Sequence, residues 1–215
     1  MQITFLHTAS VHEATFDALA QAAAPHAVLR HLVAPDLLAD ARCSGADAVR
    51  TRTRSLILAA IQEGADAVVC TCSTLGPVVP LHSRVVRIDI PLMEAAVALG
   101  PRVGVALCLD STRAATLGLL VTCAAAADCS VRPQIIDCAA AWPLFEASDT
   151  GAFAAAVARQ VQQATTDRTF DCIVLAQASM AGAAAFLRDA GVPVLCAPAL
   201  AVARAVEVAS RAPAS

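Results

Sequence analysis

Two stretches of this chain match two others without gaps. Asp66-Ala-Val-Val-Cys-Thr-Cys72-Ser-Thr74 falls on Asp171-Cys-Ile-Val-Leu-Ala-Gln177-Ala-Ser179, an offset of 105 residues. Ile3-Thr-Phe-Leu-His7-Thr-Ala-Ser10 falls on Gly104-Val-Ala-Leu-Cys108-Leu-Asp-Ser111, an offset of 101. Chance matches scatter in offset, whereas these are nearly equal and both sit where an apolar run gives way to a turn. The economical reading is two homologous halves related by a pseudo-twofold axis, one fold built twice in 215 residues.

Each half alternates short Val/Ile/Leu runs with Ala-rich helical patterns. Strands are expected at Ile3–Leu6, Ala67–Cys70, Val85–Ile88, Val103–Leu107, Ile173–Leu175 and Val192–Cys196, with a weaker one at Val28–Leu32. Helices are expected at His12–Ala23, Asp47–Glu63, Pro91–Leu99, Ser111–Ala127, Gly151–Ala164, Ala181–Ala190 and Ala199–Arg211. Runs that are apolar throughout, without alternation, suit parallel strands covered on both faces. The fold class is therefore α/β, two doubly wound domains with parallel sheets of about four strands. Expected bounds are 1–97, with the helix in 199–215 packing back on it, and 98–198.

Composition removes several kinds of chemistry. All fifteen basic residues are Arg, so no side-chain amine exists to form a Schiff base, and a pyridoxal phosphate aldimine is excluded. There is no P-loop, no Gly-x-Gly-x-x-Gly run and no Gly-x-Ser-x-Gly elbow. Nine cysteines without repeated spacing do not read as a disulfide framework, and Cys70-x-Cys72 has no partner pair at zinc spacing, so no metal and no cofactor are expected. A net charge of −3 without blocks of like charge predicts neither nucleic acid nor membrane as partner. No uncharged run reaches 18 residues, the most apolar one, Ala114 to Ala127, is too short to span a bilayer, and the start lacks a basic leader. The expectation is a cytoplasmic protein acting on a small molecule; a homo-oligomer is compatible with it.

In an open parallel sheet ligands sit beyond the carboxyl ends of the strands. Cys72, Gln177, Ser10 and Ser111 all occupy such ends, and two facing halves would bring them to one cleft. At this point the chain resembles the aspartate/glutamate/hydantoin racemase superfamily. Its first motif, an acidic residue, a strand and then Cys-Asn-Thr, reads here as Asp66 to Cys72-Ser73-Thr74. Its second, a strand and then Gly-Cys-Thr, reads as Leu175-Ala176-Gln177-Ala178-Ser179. Arg87-Ile-Asp-Ile-Pro91 and Arg102-Val-Gly-Val105 lie where the family crosses between domains. The resemblance spans essentially the whole chain.

What the resemblance implies is a cofactor-independent enzyme with a strand-end thiol, Cys72, acting as base, acid or nucleophile. Gln177 stands where the family carries its second thiol. The two-thiol mechanism removes a proton on one face and returns it on the other. Glutamine does not titrate, so ordinary racemisation is not expected. Arylmalonate decarboxylase, a relative, also keeps one thiol, and maleate isomerase adds its thiol to a double bond.

From the residues themselves, Cys72 lies at a strand-to-helix turn, where backbone N–H groups favour a thiolate; the alternative is an inert core thiol. Cys70 lies inside the strand, as does Cys172, which is no obvious second thiol. Ser73, Thr74 and Ser179, with the backbone around Ala178, either hold a carboxylate or enolate or merely cap the next helices. Gln177 either hydrogen-bonds substrate or only fills the vacated thiol site. His7 is the candidate proton shuttle, a structural histidine being the alternative. Asp89 pairs with Arg87 or binds the turn, and Asp110 follows a strand. Three functions follow: a racemase-class isomerase on a small carboxylate, a one-thiol lyase or decarboxylase, and a binding protein without catalysis.

Overall fold

The computed structural model describes residues 1–211. The chain divides into two units, Met1–Pro91 with the segment from Pro198 onward, and Leu92–Ala197. The division falls at Pro91 rather than at residue 97, so the helix spanning it belongs mostly to the second unit.

In the first unit β1 (Gln2–His7) is followed by α1 (Glu13–Ala23), β2 (Val28–Val33), α2 (Pro35–Ser44), α3 (Arg50–Gln62), β3 (Ala67–Cys70), β4 (Val85–Arg87) and the start of α4 (Asp89–Leu99). The second unit runs β5 (Arg102–Leu107), α5 (Arg113–Ala126), β6 (Arg132–Asp137), α6 (Trp142–Glu146), α7 (Thr150–Asp167), β7 (Cys172–Leu175) and β8 (Val194–Cys196), and α8 (Ala197–Arg211) follows. The sheets have the orders β2-β1-β3-β4 and β6-β5-β7-β8, and every pairing is parallel. The inner strands β3 and β7 are buried along their whole length, which is why their sequences read as unbroken apolar runs. Two doubly wound α/β domains are thus present.

The registers also refine the repeat. Ile3 pairs with Ala67 in the first sheet, and Val103 with Cys172 in the second. With Ala67 matching Cys172 at the offset of 105, Ile3 matches Val103, not Gly104. The offset of the match that begins at Ile3 is therefore 100 rather than 101, and Ser10 corresponds to Asp110 rather than Ser111. One residue matters, because it moves each side chain to the other face of its sheet.

Four further local expectations are corrected. The edge strand β6 begins Arg132-Pro133-Gln134 and lacks an apolar run; proline is tolerated there because an edge strand has one side without a ladder. Helix α2 starts on Pro35 and buries only Leu37 and Ala41, one i, i+4 pair, too narrow a stripe to stand out. Ala178–Phe186, where an α-helix was expected from Ala181, is a 3-10 helix burying Met180 and Ala183, the three-residue period of that geometry. The segment after Cys72 is likewise a short 3-10 run, Ser73–Val78, interrupted by Pro77. Cys72 does not head an α-helix, so the helix-dipole argument for its thiolate loses its basis.

Among the described residues no helix is long and apolar enough to cross a membrane.

Candidate active site

Cys72 lies two residues beyond the end of β3, free and half-buried. Its carbonyl accepts the Leu75 N–H at 3.1 Å, closing the first turn of the 3-10 run. Beneath that turn Arg87 and Asp89 form a bidentate ion pair, Nε to Oδ1 at 3.0 Å and Nη2 to Oδ2 at 2.7 Å. Gly76 rests on this pair: a Cβ there would stand 2.5 Å from Arg87 Nη2 and 2.9 Å from Asp89 Oδ2. Asp89 therefore pairs with Arg87, the first of the two roles expected of it, and the pair packs under Gly76. Cys70, fully buried, is pushed up to about 12 by desolvation and then by the neighbouring Cys72, which leaves it a core thiol at neutral pH.

Capping does not account for Ser73, Thr74 and Ser179. The N-cap positions of the two 3-10 runs are Cys72 and Gln177, neither with a side-chain cap bond. The three hydroxyls make no hydrogen bond to another described residue. Ser73, Thr74, Ala178 and Ser179 are half-buried at the carboxyl edges of their own sheets, and Ser10 is exposed just past β1.

Gln177 is fixed by its own half. Its Oε1 accepts the backbone N–H of Cys108 at 2.6 Å and that of Leu109 at 3.2 Å, and the residue is 6% exposed. The corresponding N–H groups of the first unit belong to Thr8 and Ala9. There the residue matching Gln177 is Cys72, whose side chain carries no oxygen. No hydrogen bond from the Thr8 or Ala9 N–H is made among the described residues. The half with the thiol thus keeps open a pair of donors that the other half fills with a carboxamide oxygen.

His7 is fully buried and both its ring nitrogens are engaged, Nδ1 with Thr71 Oγ1 at 2.8 Å and Nε2 with His31 Nδ1 at 2.8 Å. Thr71 Oγ1 contacts the Leu6 carbonyl at 3.0 Å, and His31 Nε2 contacts Asp17 Oδ1 at 3.0 Å. Burial lowers His7 to about 4, helped by His31 and His12 and opposed by Asp17. Thr71, His31 and Asp17 were not singled out from the sequence. The available signal was the parallel register, which sets His31 opposite Phe5 on the strand beside His7.

Among the described residues no group of three His, Cys, Asp or Glu side chains is placed to hold a metal ion.

No family model and no curated protein matches this chain. Solved structures do. Aspartate racemase from Picrophilus torridus superposes with a TM-score of 0.74, covering 97% of this chain and 94% of that one at 13% identity. Allantoin racemase from Pseudomonas fluorescens gives 0.63, covering 98% and 91% at 24% identity. A variant of arylmalonate decarboxylase gives 0.57, covering 99% and 95% at 15% identity. The parallel strand orders, the internal repeat and these superpositions agree: the chain has the fold of the aspartate/glutamate/hydantoin racemase superfamily.

Proposed function

We propose that the protein is a cofactor-independent enzyme of the racemase and isomerase class, acting on a small carboxylate through the Cys72 thiol. One observation carries this reading: a free, half-buried thiol stands at the position that Gln177 takes in the other half, and the N–H groups matching those Gln177 binds, Thr8 and Ala9, make no hydrogen bond among the described residues. Such a pair suits an oxygen that gains negative charge. In the step proposed, the Cys72 thiolate takes the α-proton, the C–H bond breaks as S–H forms, and the electron pair moves onto the carboxyl or carbonyl oxygen to give an enolate. Backbone N–H groups and the hydroxyls of Ser10, Ser73 and Thr74 hold substrate oxygens. The thiol then returns the proton. His7, with both nitrogens engaged and a low affinity for protons, acts through Thr71 rather than on substrate.

The occupied carboxamide of Gln177 favours a second reading, a one-thiol lyase or decarboxylase that delivers a proton to a single face. The likeness to arylmalonate decarboxylase fits it. Both readings are tested in deuterated water with single enantiomers of aspartate, glutamate, allantoin and a hydantoin, and with an arylmalonate. Deuterium at the α-carbon with retained configuration, or decarboxylation, each lost in Cys72→Ser, is the expected result. Ready inversion would reveal a second acid and end the one-thiol mechanism. Binding without exchange or decarboxylation would leave a binding protein.

A further inference from the structure

The chain that links Asp17, His31, His7 and Thr71 is a continuous run of hydrogen bonds. The Leu6 carbonyl cannot donate, so the Thr71 hydroxyl donates to it and accepts at Oγ1 from His7 Nδ1–H. His7 Nε2 and His31 Nδ1, 2.8 Å apart, share one proton. The Asp17 carboxylate only accepts, so His31 donates to it from Nε2. His7 is thus a fixed donor to Thr71. The His7 and His31 rings stack with planes 8° apart, and Phe16 meets the edge of His7. His31 is 13% exposed and Asp17 45%, so the chain ends where solvent reaches it.

A buried polar chain of this kind is at best neutral for stability against apolar packing. The molecule contains its own control. In the second unit Thr71 corresponds to Ala176, His7 to Leu107, His31 to Ile135 and Asp17, fifth residue of α1, to Leu117, fifth residue of α5. None of the four is polar, yet the same sheet forms with the same strand order. The fold does not require the chain of hydrogen bonds. It is present only in the half that carries Cys72, and it ends on the residue before that thiol, whose backbone N–H and hydroxyl both bind the Leu6 carbonyl.

We propose that Asp17 and His31 are positioning residues for Cys72, acting through His7 and Thr71 to hold the strand end that presents the thiol beside the Thr8 and Ala9 N–H groups. This rests on the reading of Cys72 as the reacting group. The arrangement is not a hydrolase relay, because the Thr71 proton is committed to a carbonyl and the residue is buried.

The test compares iodoacetate with iodoacetamide as alkylating agents of the full chain, mapping labels by mass spectrometry. Exposed Cys43 is the internal reference. With the thiol held beside two open donors, the ratio of iodoacetate to iodoacetamide rate at Cys72 exceeds that at Cys43 by about tenfold or more, as charge-assisted hydrogen bonds allow. Thr71→Val and His31→Phe, which cut the chain with little change in shape, lower the ratio to that of Cys43. Asp17→Asn keeps it, because the asparagine side chain still hydrogen-bonds His31 Nε2 and the chain survives. A raised ratio that persists in both Thr71→Val and His31→Phe overturns the positioning role alone. A wild-type ratio equal to that of Cys43 overturns the reading of Cys72 itself, and the positioning role with it. A measurement without variants accompanies these: long-range proton–nitrogen spectra of the wild type at neutral pH show His7 protonated at Nδ1 and His31 at Nε2. A His7 without a proton on Nδ1 contradicts the chain directly.

Discussion

The carboxamide oxygen of Gln177 accepts the backbone N–H of Cys108 at 2.6 Å, locking the end of β7 to the end of β5. Gln177→Ala strands that N–H and the one of Leu109 in a buried position, and unfolding in urea should show a loss of about 1–3 kcal/mol. Gln177→Glu retains an accepting oxygen and should lose less. Gln177→Cys, the obvious route to a second thiol, removes the oxygen and should carry nearly the cost of alanine. An unchanged urea midpoint in Gln177→Ala would show the bond to be dispensable.

His7 gives the protein an acid-sensitive term. Its affinity for protons falls from 6.5 in an open chain to about 4 when folded, so between those values the unfolded state holds the extra proton. Stability is therefore full above about pH 6.5 and declines as pH falls toward 4, by roughly 3 kcal/mol in all. His12, also lowered by burial, acts in the same direction. Urea midpoints at about pH 7.5 and 4.5 read this slope. His7→Asn, which keeps a donor for Thr71 but does not titrate, should remove most of it; an equal slope in that variant would assign the effect elsewhere.

Thiol labelling should sort the nine cysteines by environment. Burial pushes Cys70, Cys108 and Cys138 up to about 12 and Cys172 to about 11, and raises Cys196. These five should stay unlabelled by iodoacetamide in the folded protein. Cys43 and Cys129 are exposed and should react as ordinary thiols. Cys72, though only half-exposed, should react faster than either. A slower Cys72 would count against its catalytic assignment.

Gly76 is required by what lies beneath it. Gly76→Ala sets a methyl group against the Arg87–Asp89 pair, and the turn after Cys72 must lift. The expected cost is about 1–3 kcal/mol in urea unfolding, as for overpacking in a core. A shift in the Cys72 alkylation rate, with Cys129 unchanged, would locate the strain at that turn.

Much of the fold was legible because inner strands and long helices announce themselves: β3 and β7 are continuous apolar runs, β1 and β5 are mostly apolar, and the repeat links them. Weaker elements lie at edges, where one neighbour is missing and the sequence is less constrained; β6, with Pro133, is such a case. The register error of one residue arose because hydrophobic matching cannot distinguish faces in a strand buried on both. At the site, Cys72 and Gln177 stood out through the internal match. The partners of His7 did not, because Thr71, His31 and Asp17 are distant in sequence and meet only through the parallel pairing of β1 with its two neighbours.

The bond from Gln177 has one more consequence. A group tethered within its own half never diffuses away, so its effective concentration exceeds that of any solute. The Cys108 and Leu109 donors are permanently spoken for, and no metabolite competes for them at ordinary levels. Duplication made two such berths. This sequence has moored itself in one, and the berth in the half with the thiol is the one left to the proposed substrate.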